Sequence, residues 1–239
     1  MRIVIAGPAK TGNVWLKSLL ASMYELRALG PKTSPAEARL DAFNAWVEAG
    51  RFHDGTVFHQ HYDYSPELAD AVAAVPAHLV TIIRDPYDAF VSHYFSLQDH
   101  IGDESRRGGA RRLIIGKPLD DPDVLAYLRQ GGFQNSLLKA NEWLHSGHSL
   151  MLRYEDLHRD PIETLERLST ELAPATREKI ARAVEECSAE NLRKQGDRRA
   201  KHVRAAKVGD SKDRLTDAHL AVFREHYADL IRSLGYAVR

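Results

Sequence analysis

Short apolar runs and longer amphipathic stretches alternate along this chain, and the alternation predicts its elements. β-Branched, apolar runs at residues 2–6, 56–58, 79–83 and 149–152 read as strands. The run Leu79-Val80-Thr81-Ile82-Ile83 shows almost no polar alternation, which suits a strand covered on both faces, as in a parallel sheet between helices. Helical spacing of apolar positions falls at residues 13–29, 66–75, 88–97, 133–145, 161–172, 176–187 and 216–234. Strands separated by helices build β-α-β units. The expected class is therefore α/β, a three-layer sandwich with a central parallel sheet.

A chain of 239 residues with 44% apolar and 28% charged residues can bury a full core, and residues 1–239 read as a single domain. Two stretches interrupt the pattern. Residues 102–123 carry Arg106, Arg107, Arg111 and Arg112 among glycines and prolines, and read as a long loop, either a lid or acceptor-binding loop or a solvated insertion. Residues 193–212 form a second basic, loop-like stretch. The formal charge is zero, so no global field recruits nucleic acid or an anionic membrane, and any anion site must be assembled locally. The one cysteine, Cys187, excludes an intramolecular disulfide and a Cys-rich zinc cluster, and fits a reducing compartment. No stretch approaches about 18 apolar residues, and the first apolar run is too short for a signal peptide. A cytoplasmic protein without membrane or nucleic-acid partners is expected.

The first strand runs into Gly7-Pro8-Ala9-Lys10-Thr11-Gly12-Asn13-Val14-Trp15, where a helix begins. A glycine-containing turn at a helix N-terminus exposes backbone N–H groups with the helix dipole behind them, a phosphate cradle. Gly7 and Gly12 have the outer spacing of a P-loop, giving a P-loop-like turn, but Asn13-Val14 replaces its Lys and Ser/Thr. Without the lysine for β/γ-phosphates and the hydroxyl for Mg²⁺, an ATP or GTP site is disfavoured. After the strand at 79–83 comes Arg84-Asp85-Pro86-Tyr87-Asp88, with Ser92 on the following helix. An arginine at the C-terminal edge of a parallel strand faces the crevice where α/β sheets bind ligands. A guanidinium also matches phosphate geometry. Taken alone, the same segment favours a surface Arg84 paired with Asp85 or Asp88.

Together, the two segments resemble the PAPS-dependent sulfotransferases (PAPS is 3′-phosphoadenosine 5′-phosphosulfate). The first resembles their P-K-S-G-T-T-W loop, and the second matches R-x-x-x-D-x-x-x-S at Arg84, Asp88 and Ser92. Arg153-Tyr154-Glu155-Asp156-Leu157 is similar to the family's Y-E-D-L segment, and the stretch from Arg204 to Lys212 partly matches R-K-G-x-x-G-D-W-K. The resemblance implies that Lys10 stabilises charge on the 5′-phosphate as the S–O bond breaks. Thr11, Gly12, Asn13 and Val14 would give backbone or side-chain donors to that phosphate. Trp15 and Tyr154 would lie near the adenine, and Arg84, Ser92 and Arg204 would hold the 3′-phosphate.

The acceptor hydroxyl needs a base, and histidine titrates nearest neutrality. The family's K-T-H aligns with His59-Gln60-His61, which makes His61 the base and leaves His59 as the alternative. No metal is required. The implied reaction moves a sulfuryl group from PAPS to a small-molecule hydroxyl acceptor, giving PAP, in a monomer or homodimer. A P-loop-type kinase and a non-catalytic nucleotide-binding protein are the competing readings. The chain departs from the family at Asn13-Val14 (Thr-Thr), at Ala205-Ala206 (Lys-Gly) and at Ser211 (Trp). Lys207 is the nearest stand-in for the missing lysine.

Overall fold

In the computed structural model, residues 1–31, 39–99, 112–188, 190–191 and 207–239 are described. They divide into two compact units, Met1–Ile83 with Trp143–Ala206 and Arg84–Glu142 with Lys207–Arg239.

The first unit is built on a parallel sheet. Its strands are β1 (Arg2–Ala6), β2 (Arg27–Ala28), β3 (Thr56–Gln60), β4 (His78–Ile83) and β5 (Leu150–Arg153), ordered β2-β3-β1-β4-β5. Side chains alternate across a strand, so β1 feeds two cores. Ile3 and Ile5 pack with Leu16 and Leu20 of α1 (Asn13–Met23), together with Val57, Val80 and Ile82. Leu165 of α8 (Pro161–Leu172) and Ile180 of α9 (Arg177–Glu186) complete that layer. Val4 and Ala6 pack on the other face with Phe43 of α2 (Leu40–Glu48), Val72 of α3 (Pro66–Ala74) and Trp143. Helices thus cover both faces, which is why β1 and β4 read as unbroken apolar runs. A short helix, α7 (Tyr154–Arg159), follows β5 directly.

The second unit is helical. Asp85 caps α4 (Pro86–Gln98) by accepting the backbone N–H of Tyr87 and Asp88 at 2.9 and 3.1 Å, with proline in the first turn. Phe90 of α4 meets Phe133 and Phe223 edge-on at 5.5 and 5.7 Å. Phe223 lies on α10 (Asp217–Ser233), which packs against α5 (Pro122–Arg129). Among the described residues this unit also holds α6 (Gln134–Ser146), whose residues up to Glu142 belong here, and a 3-10 turn at Asp210–Asp213.

Several expected boundaries move. The helix expected over 13–29 stops at Met23, because Glu25 turns left-handed (φ 55°) and Arg27 pairs with Thr56 as an edge strand. Residues 122–123, read as loop, open α5, since the Asp121 side chain accepts the Asp123 N–H at 2.9 Å and Pro122 occupies the first turn. Of the arginines in that stretch, Arg106, Arg107 and Arg111 lie outside the described residues, and Arg112 is exposed. Among the described residues, no helix is long and apolar enough to cross a membrane.

Candidate active site

In the first unit, β1 delivers the chain to a turn over residues 7–12 that ends at the N-terminus of α1. Gly7 and Gly12 have φ of 140° and 102°, and Lys10 between them has φ of 68°. A left-handed backbone at a non-glycine residue costs about 1–2 kcal/mol. Such strain persists where surrounding structure enforces it, a common feature of ligand-binding turns.

Side chains hold this turn from inside. The Asn13 amide donates to the Pro8 carbonyl at 2.7 Å and to Thr11 Oγ1 at 3.3 Å, while the Thr11 hydroxyl donates to the same carbonyl at 3.1 Å. Turning the amide over would set two oxygens against each other, so its orientation is fixed. Asn13 and Thr11 are buried, at 5% and 3% exposure. The Asn13 amide and the Thr11 hydroxyl thus brace the turn from within. The first backbone N–H groups of α1 still have no acceptor within the helix, as at any helix start.

Behind the turn, Tyr154 packs so close that a Cβ added at Gly12 would lie 2.7 Å from its Cδ2. Trp15 stands edge-on to Tyr154 at 6.0 Å, and its indole N–H donates to the Cys187 carbonyl at 3.1 Å. His61, just past the end of β3, places Nδ1 3.2 Å from the Gly7 carbonyl. His59 lies on β3 beside Ile5, and its ring meets that of His61 at 5.8 Å. Lys10, Thr11, Gly12, Asn13, Val14, Trp15, Tyr154 and both histidines thus belong to one unit, at the C-terminal edge of the sheet. A cavity bordered by Arg2, Phe52, His53 and Asp54 lies at the opposite edge.

In the second unit, Arg84 precedes α4 and Ser92 lies within it. The Asp88 carboxylate is buried and accepts the backbone N–H of Gly209 at 2.6 Å and of Ser211 at 2.9 Å. Arg84 Nη2 donates to the Lys207 carbonyl at 3.0 Å and lies 3.9 Å from Asp88. Their side chains are only 10% and 1% exposed, so this is not a solvated surface pair. The bond joining residues 207–211 to the arginine motif is a feature the sequence did not reveal, for it spans more than 120 positions.

Solved structures of known sulfotransferases share this fold. Mouse sulfotransferase SULT7A1 complexed with PAP aligns at a TM-score of 0.70 and 18% identity, over 97% of this chain and 84% of that one. Retinol dehydratase in complex with androsterone and inactive cofactor PAP aligns at 0.65 and 15% identity, over 100% and 83%. Among curated proteins none matches in sequence. The decisive match is to the sulfotransferase domain family, over residues 1–235.

The chain belongs to the sulfotransferase family.

Its α/β fold with a P-loop-like turn is that of the family. Arg204 of this sulfotransferase lies outside the described residues. Lys207, the expected stand-in for the missing family lysine, is exposed and pairs with Asp213 at 2.6 Å, which raises its pKa. Among the described residues, no cluster of His, Cys, Asp or Glu could hold a metal ion.

Proposed function

We propose that this sulfotransferase binds PAPS by both phosphates and uses His61 to deprotonate the hydroxyl of a small acceptor. The observation carrying this reading is the contact between His61 Nδ1 and the Gly7 carbonyl. A carbonyl only accepts, so Nδ1 carries the hydrogen and Nε2 is the basic nitrogen. The turn that would cradle the phosphosulfate thereby also sets the tautomer of the base.

On this reading the acceptor oxygen forms the new S–O bond while its proton passes to His61 Nε2. The bond between sulfur and the 5′-phosphate oxygen breaks, and PAP leaves with the added charge. Lys10, with the N–H groups at the start of α1, neutralises that charge where it develops, the interaction that lowers the barrier most. Arg84 and Ser92 take the 3′-phosphate, and Trp15 and Tyr154 flank the adenine. We place the protein in the cytoplasm, supported by its lone, buried Cys187, with no nucleic-acid or membrane partner.

Replacement of each histidine tests the base. His61→Ala should abolish turnover and leave PAP affinity unchanged, while His59→Ala retains turnover. Retained turnover in His61→Ala, with loss in His59→Ala, moves the role to His59.

A further inference from the structure

Asp85, which caps α4, and Ser211, in the segment tied to Asp88, share one guanidinium. Arg239 Nη2 donates to Asp85 Oδ2 at 2.8 Å, and Nη1 donates to Ser211 Oγ at 2.8 Å. The same guanidinium lies 4.3 Å from the centroid of the Tyr87 ring, and the Arg239 backbone N–H donates to the Tyr87 hydroxyl at 2.8 Å. Arg224 Nη1 holds the Arg239 carbonyl at 3.1 Å. With Arg239 and Asp85 side chains 24% and 18% exposed, the pair is shielded from the solvent that weakens surface ion pairs.

The network continues inward from these contacts. Ser211 and Gly209 are held by Asp88, and Lys207, two residues before Gly209, offers its carbonyl to Arg84. Ser211 stands where the family resemblance leads one to expect tryptophan. An aromatic side chain at this position would be held by packing, whereas here a hydroxyl is held by a guanidinium from a segment far along the chain.

We propose that Arg239 is a positioning residue for donor recognition. It pins Ser211 and Asp85, and through Asp88 and the Lys207 carbonyl it fixes the orientation of Arg84 toward the 3′-phosphate. This rests on the reading that Arg84 receives that phosphate. Arg239 acts only through the network and does not touch the donor. Arginine suits the task because its fork reaches two acceptors at once and stacks on an aromatic face, which a lysine ammonium cannot do together.

The test is calorimetric titration of the full chain with PAP and with AMP, which lacks the 3′-phosphate. It compares the unmodified protein with Arg239→Ala, Arg239→Lys and Ser211→Ala. Arg239→Ala should weaken PAP about tenfold, the scale of one hydrogen bond to a charged group, and leave AMP within about twofold. Arg239→Lys should recover part of the loss. Ser211→Ala should move in the same direction by less, and it keeps the test open if Arg239→Ala does not fold. Unchanged PAP affinity in Arg239→Ala, or equal weakening of PAP and AMP, overturns the proposal while leaving the donor reading intact. An unmodified protein with no preference for PAP over AMP overturns both.

Discussion

Replacing Gly12 with alanine adds one methyl group to the phosphate turn, and the structure allows its effect to be sized. Gly12 has φ 102° and ψ 12°, a conformation costing an L-residue about 1–3 kcal/mol. The new Cβ would also lie 2.7 Å from Tyr154 Cδ2 and 3.1 Å from Cε2. Tyr154 is poorly placed to yield, being 6% exposed and edge-on to Trp15, whose indole N–H is held by Cys187. Overpacking of this kind costs about 1–3 kcal/mol. The expected loss is therefore about 2–6 kcal/mol, a large share of the roughly 5–15 kcal/mol that stabilises a typical domain. Gly147 supplies the control, with φ 71° and nothing within 4 Å of an added Cβ. Gly147→Ala should show the backbone effect alone, about 1–2 kcal/mol. Urea unfolding of the two variants, compared at equal slope, measures the difference. A Gly12→Ala variant no less stable than Gly147→Ala would refute the claim that the turn is closed against Tyr154.

Three further outcomes follow from the same geometry. Lys10→Ala should lower kcat by about a hundredfold or more in a PAPS-dependent assay, the scale for removing one preorganised charge-stabilising group, and near-normal kcat would remove Lys10 from the chemistry. Asn13→Ala deletes the amide that braces Pro8, a bond worth about 1 kcal/mol, and should raise the KM for PAPS by about fivefold with little change in kcat; the reverse pattern would show that Asn13 acts on the reaction itself. His219 should make stability fall in acid. Its Nδ1 accepts the Thr216 N–H at 3.2 Å, Nε2–H donates to the Leu119 carbonyl at 3.0 Å, and burial lowers its pKa below 6.5 against opposing pulls from that carbonyl and Asp120. As pH falls below 6.5 the unfolded chain takes up the proton first, so the stabilisation is complete above 6.5 and is lost through the folded-state pKa. Thermal melts of wild type and His219→Gln at pH 7.5 and 5 should differ in pH slope; identical slopes would contradict the assignment.

The sheet was legible because its signal is local. The strand expected over 2–6 forms at those residues, and the run at 79–83 starts one residue earlier, at His78. The helix α2 went unread although Leu40, Phe43 and Val47 carry helical spacing; it is short and follows a polar stretch. The overshoot of α1 has a physical origin, since apolar periodicity runs on through Tyr24 and Leu26 while Glu25 breaks the backbone. The candidate site was readable where motif and element coincide, as at residues 7–15 and 84–92. That Asn13 braces the turn was hidden, because sequence shows an amide but not that Pro8 and Thr11 accept its hydrogens. Arg239 carried no local signal at all, for its partner Asp85 lies 154 residues away.

The central claim is that the turn at residues 7–12 and the Arg84 motif serve PAPS rather than a nucleoside triphosphate. Calorimetric titration with PAP, with AMP and ATP·Mg²⁺ alongside, tests it most directly. Micromolar binding of PAP, well above that of either control, is the predicted result. Preference for ATP·Mg²⁺ would contradict the account.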